Sequence, residues 1–185
     1  MSNIRITPRG CGIGAEVDGI DPMRPLSGDV IRAMRDAFDT HRLLIFRKLY
    51  WTVAQQVVFS EYFGTLENFP DRKDQAEGYK TVLRVTNIDR ASNTIKPVDD
   101  PGHQSFTLGT SSWHIDSSFR TLPSKASILY AIEMPEEGGD TMFADTTLAY
   151  DALSEERKRA LETLVIIHDF EETRRRHNLP PRPPE

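Results

Sequence analysis

Residues 111–119 read SSWHIDSSF, and within them His114 and Asp116 stand two positions apart. On a strand, side chains at i and i+2 share a face. The imidazole and the carboxylate are therefore expected to project together, with Ile115 on the opposite side. One histidine and one carboxylate are two of the three donors of a 2-His-1-carboxylate facial triad, the arrangement that holds Fe(II) and leaves coordination positions open. A bidentate 2-oxo acid can take two of those positions and O2 the third. Trp113 and Phe119 are expected to wall such a site against water. An H-x-D triplet is short and recurs by chance, so context decides its meaning. That context is GGDTMFAD at 138–145. Its glycines suit a turn, and Thr141 then opens a strand with a hydroxyl able to bond a cosubstrate carboxylate. An ordinary strand threonine is the plainer reading of Thr141 on sequence alone.

The elements that must position these residues can be read from patterning. NIRIT (3–7) alternates and predicts a short strand, and GAEVDGID (14–21) a second one ending in a turn. Ser27 can cap a helix in which Asp29 meets the N-terminal dipole, and Val30, Ile31, Met34, Phe38 and His41 recur at three- and four-residue steps. LLIF (43–46) predicts a buried strand. Thr52 and Gln55 form a capping box for a helix over 53–63 that stops at Gly64. VLRVTN (82–87) predicts a strand, and 88–112 a long loop, a class that is usually functional or disordered. Strands are expected at about 113–119, 126–133 and 140–145. A helix over 155–164 and a strand VIIHDF over 165–170 follow, then a polar, Pro-rich tail or lid over 171–185. The expected architecture is a single α+β, β-rich domain over 1–185, with helices outside the sheet.

Composition sets the broad class. The 185 residues carry a net charge of −5, which weighs against a nucleic-acid partner. No run of about 18 apolar residues exists, so no membrane span is expected. The N-terminus lacks the apolar core of a signal peptide. One cysteine, Cys11, excludes an internal disulfide framework and fits a reducing, cytoplasmic setting; homo-oligomer formation is left open. GCGIGA (10–15) matches a dinucleotide fingerprint, but the required preceding strand is broken by Pro8 and no helix starts at EVDGIDP. A glycine turn between two strands is the preferred reading.

With these stretches in order, the chain resembles the Fe(II)/2-oxoglutarate-dependent dioxygenases of the taurine dioxygenase and 2,4-dichlorophenoxyacetate dioxygenase family. The resemblance runs through GAEVDGID, LLIFR, FGTLE, VTNID, WHIDSSF, ASILYA, GGDTMFAD and AYDAL. It implies a double-stranded β-helix (jelly-roll) core with flanking helices, incomplete at the C-terminus. It implies His114 and Asp116 as iron ligands, and Thr141 as a contact of the cosubstrate 2-oxoglutarate. The implied reaction couples decarboxylation of 2-oxoglutarate to succinate and CO2 with O2-dependent hydroxylation of a small, mostly anionic organic substrate.

The same resemblance calls for a second histidine ligand and an arginine for the far carboxylate of 2-oxoglutarate, both well downstream of H-x-D. Only His168 and His177 follow Asp116, and neither matches in position. Arg174, Arg175 and Arg176 do not match that arginine either; a helix end or solvated loop is expected for them. The expectation is therefore a chain matching the first part of the family domain, binding iron weakly and turning over poorly. The alternative is an inactive jelly-roll protein that binds a small acid or a partner. A zinc hydrolase is weaker still, because no H-E-x-x-H is present. For an anionic substrate the candidate contacts are Arg72, Lys73 and Thr110, with Lys80, Arg84, Arg90, Lys96 and His103 as further polar groups before the motif.

Overall fold

The computed structural model describes residues 4–10, 12–69, 74–89, 91–97, 100, 112–176 and 181. These fall into two compact units, one formed by 1–66 and 128–164 and the other by 67–127 and 165–185.

The first unit is built on a three-stranded sheet. Strand β1 (Arg5–Pro8) runs antiparallel to β2 (Ala15–Asp18), and β2 pairs in parallel with β3 (Leu44–Phe46). The period-2 pattern of β2 explains its placement. Ala15 and Val17 are buried, while Glu16 and Asp18 turn outward. Asp18 pairs with Arg5 at 2.9 Å, and Glu16 with Arg9 and Arg47 at 3.1 and 3.2 Å. The glycine-rich stretch is a turn between two strands, as expected. Arg9 N–H donates to the Gly14 carbonyl at 2.9 Å, and Gly12 and Gly14 have φ of 81° and 90°.

Helix α1 (Gly28–His41) is capped by Ser27, whose side chain accepts from Val30 N–H, and buries Val30, Met34 and Ala37. The chain leaves it through Arg42 at φ 64°, whose N–H bonds the Phe38 carbonyl at 2.8 Å. This left-handed cap delivers 43–46 to the edge of β2, although no glycine marks it. Helix α2 (Val53–Glu61) starts at the Thr52–Gln55 capping box. Phe59 is its anchor, with its ring 5.2 Å from that of Phe46 and 4.9 Å from that of Trp51; Trp51 in turn lies 5.4 Å from Tyr130. Two short helices, α3 (Thr146–Asp151) and α4 (Glu155–Leu161), complete the unit and are capped by Asp145 and Ser154.

The second unit contains a hairpin of β4 (Gln75–Ala76) and β5 (Tyr79–Leu83), turned by Glu77 and Gly78, the latter at φ 79°. Phe69 and Arg84 extend it, with N–H groups donating to the Lys80 and Asp74 carbonyls. An isolated bridge joins Ile88 and Ile95. Helix α5 (Phe170–Arg176) follows near the end of the unit's described residues.

Several expectations are corrected. The strand expected at 82–87 lies at 79–83, because the Glu77–Gly78 turn fixes the pairing register. No strand forms among the described residues at 113–119, 126–133, 140–145 or 165–170. Of the apolar residues there, Leu129, Ile132, Met142, Val165, Ile166 and Ile167 are exposed. An extended segment becomes a strand only when a neighbour supplies ladder partners, and among the described residues none pairs with these. The described residues are accordingly richer in helix than in strand, not β-rich. The segment 146–151 is an additional helix, signalled by Asp145, whose carboxylate accepts from Thr147 and Leu148 N–H. The tail expected from 171 begins inside α5. No helix among the described residues is long and apolar enough to cross a membrane.

Candidate metal centre

His114 and Asp116 lie in the second unit, on a segment that enters a turn at Asp116. They converge as expected, with Nε2 of His114 3.3 Å from Oδ1 of Asp116, but on irregular backbone and not on a strand. The turn is sharp. Ser117 has φ 56°, and Arg120 N–H donates back to the Ser117 carbonyl at 3.0 Å.

Each member of the pair is held from behind. Nδ1 of His114 lies 2.8 Å from the Ser112 carbonyl. A carbonyl only accepts, so Nδ1 carries the proton, and in the neutral ring Nε2 presents its lone pair. Ser127 Oγ donates to Oδ2 of Asp116 at 2.6 Å, which leaves Oδ1 turned to the histidine. In that neutral form Nε2 and Oδ1 are two acceptors 3.3 Å apart, an arrangement that a cation satisfies; with a proton on Nε2 as well, the same contact is an ion pair. Octahedral bonds of about 2.1 Å put adjacent donors about 3 Å apart, so the spacing suits two neighbouring ligands of one ion. A histidine that donates its other ring N–H to a backbone carbonyl and a carboxylate held by a hydroxyl are typical supports of metal ligands. Among the described residues no third histidine, cysteine or acidic side chain joins the pair into a three-donor group.

The remaining candidates are distributed differently. Thr141 is exposed, outside regular structure, and belongs to the first unit. Thr110, Arg72, Lys73, Arg90, His103 and His177 lie outside the described residues. Lys80 and Arg84 are exposed and Lys96 half-buried, all in the second unit. His168 is exposed. His41 ends α1, as its place near the C-terminal dipole predicts. Arg175 and Arg176 pair with Glu172 in α5, and the guanidinium of Arg174 lies 5.9 Å from the Phe170 ring centroid, so the basic run is a helix end. The glutamate's carboxyl is held below its usual range chiefly by the hydrogen bonds of Arg175 and Arg176. Trp113 does not wall the pair among the described residues; it is 69% exposed. Phe119 packs on Phe170 with ring centroids 4.9 Å apart.

One functional-looking residue escaped the sequence reading. Glu67 accepts from the hydroxyls of Ser117 and Ser124, both at 2.5 Å, and pairs with Arg120 Nε at 2.5 Å. Its side chain is only 15% exposed. The signal was the acidic end of FGTLE, just after an apolar residue and ahead of a loop.

Residues 4–185 match the profile of the Taurine catabolism dioxygenase TauD, TfdA family. The chain is 30% identical over 171 residues to an (S)-phenoxypropionate/alpha-ketoglutarate-dioxygenase of Delftia acidovorans, covering 91% of this chain and 53% of that protein. It is also 30% identical over 154 residues to an alpha-ketoglutarate-dependent 2,4-dichlorophenoxyacetate dioxygenase of Burkholderia sp. strain RASC, covering 83% and 52%. Among solved structures it resembles AAD-2 in complex with Mn(II) and N-oxalylglycine, with a TM-score of 0.75 and 30% identity over 95% of this chain and 58% of the other. The chain spans about half the length of the curated relatives it matches. Profile, identity and fold agree: the chain belongs to the taurine catabolism dioxygenase TauD, TfdA family.

Proposed function

We propose that this chain carries the metal-binding H-x-D element of an Fe(II)/2-oxoglutarate-dependent dioxygenase that hydroxylates a small anionic organic substrate. The observation that carries the reading is the convergence of His114 Nε2 and Asp116 Oδ1 at 3.3 Å, with Ser112 and Ser127 holding their outer atoms. Family membership supports it, as do the alpha-ketoglutarate-dependent activities named for the relatives. In this reading the family's double-stranded β-helix is the core to which the chain contributes. A reducing, cytoplasmic setting fits the single cysteine.

His114 and Asp116 would hold Fe(II) as neighbouring donors, leaving positions for 2-oxoglutarate and O2. When bound, that iron with 2-oxoglutarate supplies the oxidising chemistry, in which 2-oxoglutarate and O2 yield succinate, CO2 and one oxygen atom for a substrate C–H bond. The protein's own contribution is orientation and shielding. Ser112 fixes the histidine tautomer by accepting from Nδ1, so Nε2 stays available. Ser127 fixes the carboxylate rotamer and keeps Oδ1 inward. Thr141 is assigned the hydrogen bond to a 2-oxoglutarate carboxylate. Substrate anions are assigned to the cationic groups ahead of the motif, Arg72 and Lys73 together with Thr110, since planar or multiple donors recognise carboxylates best.

The test is anaerobic addition of Fe(II) and then 2-oxoglutarate to the 185-residue chain, with His114→Ala as control. A visible metal-to-ligand charge-transfer band present in the parent and lost in the variant is the expected result. No band, together with no binding of Mn(II), overturns the reading and leaves a non-catalytic binding protein as the better one.

A further inference from the structure

We infer that Glu67 is the positioning residue that sets the geometry of the His114–Asp116 pair, a role that rests on reading that pair as metal donors. Three donors converge on its carboxylate. Oε2 accepts from Ser117 Oγ and Ser124 Oγ, each at 2.5 Å, and Oε1 takes Arg120 Nε at 2.5 Å. All three donors lie just after Asp116 in the chain, while Glu67 comes from 50 residues before Ser117. The contact is therefore a long-range tie across the second unit. The Glu67 side chain is 15% exposed and that of Arg120 40%, so water competes weakly at the carboxylate and more at the guanidinium. The guanidinium of Arg120 also lies 5.7 Å from the centroid of the Phe69 ring, two residues beyond Glu67, which fixes the far side of the same tie.

The turn needs such an anchor. Ser117 sits at φ 56°, a region that residues with a Cβ adopt at a cost unless the surroundings impose it. Ser117 is bonded directly to Asp116, so its backbone angles set the path of the turn on which Asp116 sits, while Ser127 holds the carboxylate itself. With Ser117 tied to Glu67, and Arg120 N–H closing the turn at 3.0 Å, Oδ1 is held toward His114 and Oδ2 toward Ser127. The chemistry favours a carboxylate. Arg120 Nε can only donate, so a glutamine must give it the carbonyl and offer its NH2 to the two hydroxyls. Those hydroxyls can rotate to accept, but the charge that strengthens all three bonds is gone.

The test is Mn(II) binding to the 185-residue chain by electron paramagnetic resonance, paired with hydrogen exchange of the Arg120 amide, for Glu67→Gln and Glu67→Ala. Outer partners of metal ligands are typically worth about 10–100-fold in metal affinity. The expected order is parent, then Glu67→Gln weaker by about threefold, then Glu67→Ala weaker by about tenfold or more, with faster Arg120 exchange in the same order. Glu172→Gln, which breaks a remote pair with Arg175 and Arg176, leaves both readouts at parent values. If Glu67→Ala does not fold, the double variant Ser117→Ala, Ser124→Ala removes two of the donors with Glu67 in place and is expected to move both readouts the same way. A folded Glu67→Ala protein with parent Mn(II) affinity overturns the inference. A parent chain that binds no Mn(II) instead sinks the metal reading, and Glu67 is then judged on Arg120 exchange alone, where no change overturns it.

Discussion

Ser127→Ala is the most direct probe of how the candidate metal donors are held. The variant removes one hydroxyl that donates to Asp116 Oδ2 at 2.6 Å and changes nothing else in the carboxylate's covalent surroundings. Hydrogen bonds to charged groups contribute roughly 1.5–3 kcal/mol when sheltered. Asp116 is 57% exposed at its side chain, so water replaces much of that bond, and about 0.5–1 kcal/mol is the appropriate net value. That energy falls on the orientation of the carboxylate, and hence on metal affinity, as a loss of roughly two- to fivefold. The rate of loss is smaller than for a fully buried support, where about 10–100-fold is typical. The assay is Mn(II) titration of the 185-residue chain followed by the loss of the free-ion signal, with Ser127→Thr as the variant that keeps a hydroxyl. Ser127→Ala binding as tightly as the parent, while His114→Ala binds no metal, refutes the claim that Ser127 orients the ligand. A loss beyond a hundredfold refutes the assumption that water shares the bond.

The other predictions concern the scaffold and one loop. Met34 is fully buried on α1, so Met34→Ala is expected to lower unfolding free energy by about 2–5 kcal/mol in urea titration, with little change in slope. Thr52→Ala removes one half of the α2 capping box and should reduce stability by about 1 kcal/mol, read as a lower melting temperature. The Asp89 carboxyl is held below its ordinary value by hydrogen bonds from the Ser92 N–H and hydroxyl, opposed by partial burial and aided by Ala91 N–H and Lys96. Its folded-state pKa is depressed, so the ordering it gives the 89–96 loop is full above the unfolded value and lost as pH falls through the folded one. Amide exchange at Ser92, read by nuclear magnetic resonance, should stay protected into the range where a free aspartate is already protonated. In Asp89→Asn that acid transition should disappear.

Much of the first unit was legible because its signals are local. Ser27, the three- and four-residue spacing through Met34, and the Thr52–Gln55 box each encode their element within a few residues, and the structure places α1 and α2 where they point. The alternation of Ala15 and Val17 against Glu16 and Asp18 likewise fixed which face of β2 is buried. Illegible were features whose cause is distant in sequence or has no residue signature. The left-handed Arg42 cap carries no glycine. The β4–β5 register depends on a Glu77–Gly78 turn that the polar stretch around it conceals.

At the candidate site the division is sharper. The sequence by itself picked out the candidate donors, since a histidine and a carboxylate two apart can meet on one side of an extended or turning backbone, and it determined the family through WHIDSSF and GGDTMFAD. It could not determine what holds them. Strand formation at 113–119 needs a partner that a single segment does not contain, and the pair instead converges on irregular backbone. The tie from Glu67 to Ser117, Ser124 and Arg120 spans 50 residues or more, and only the folded chain brings that carboxylate to those donors. Local chemistry is written in neighbouring residues; the direction in which a ligand points is set by hydrogen bonds that close long loops, and those exist only once the tertiary structure has formed.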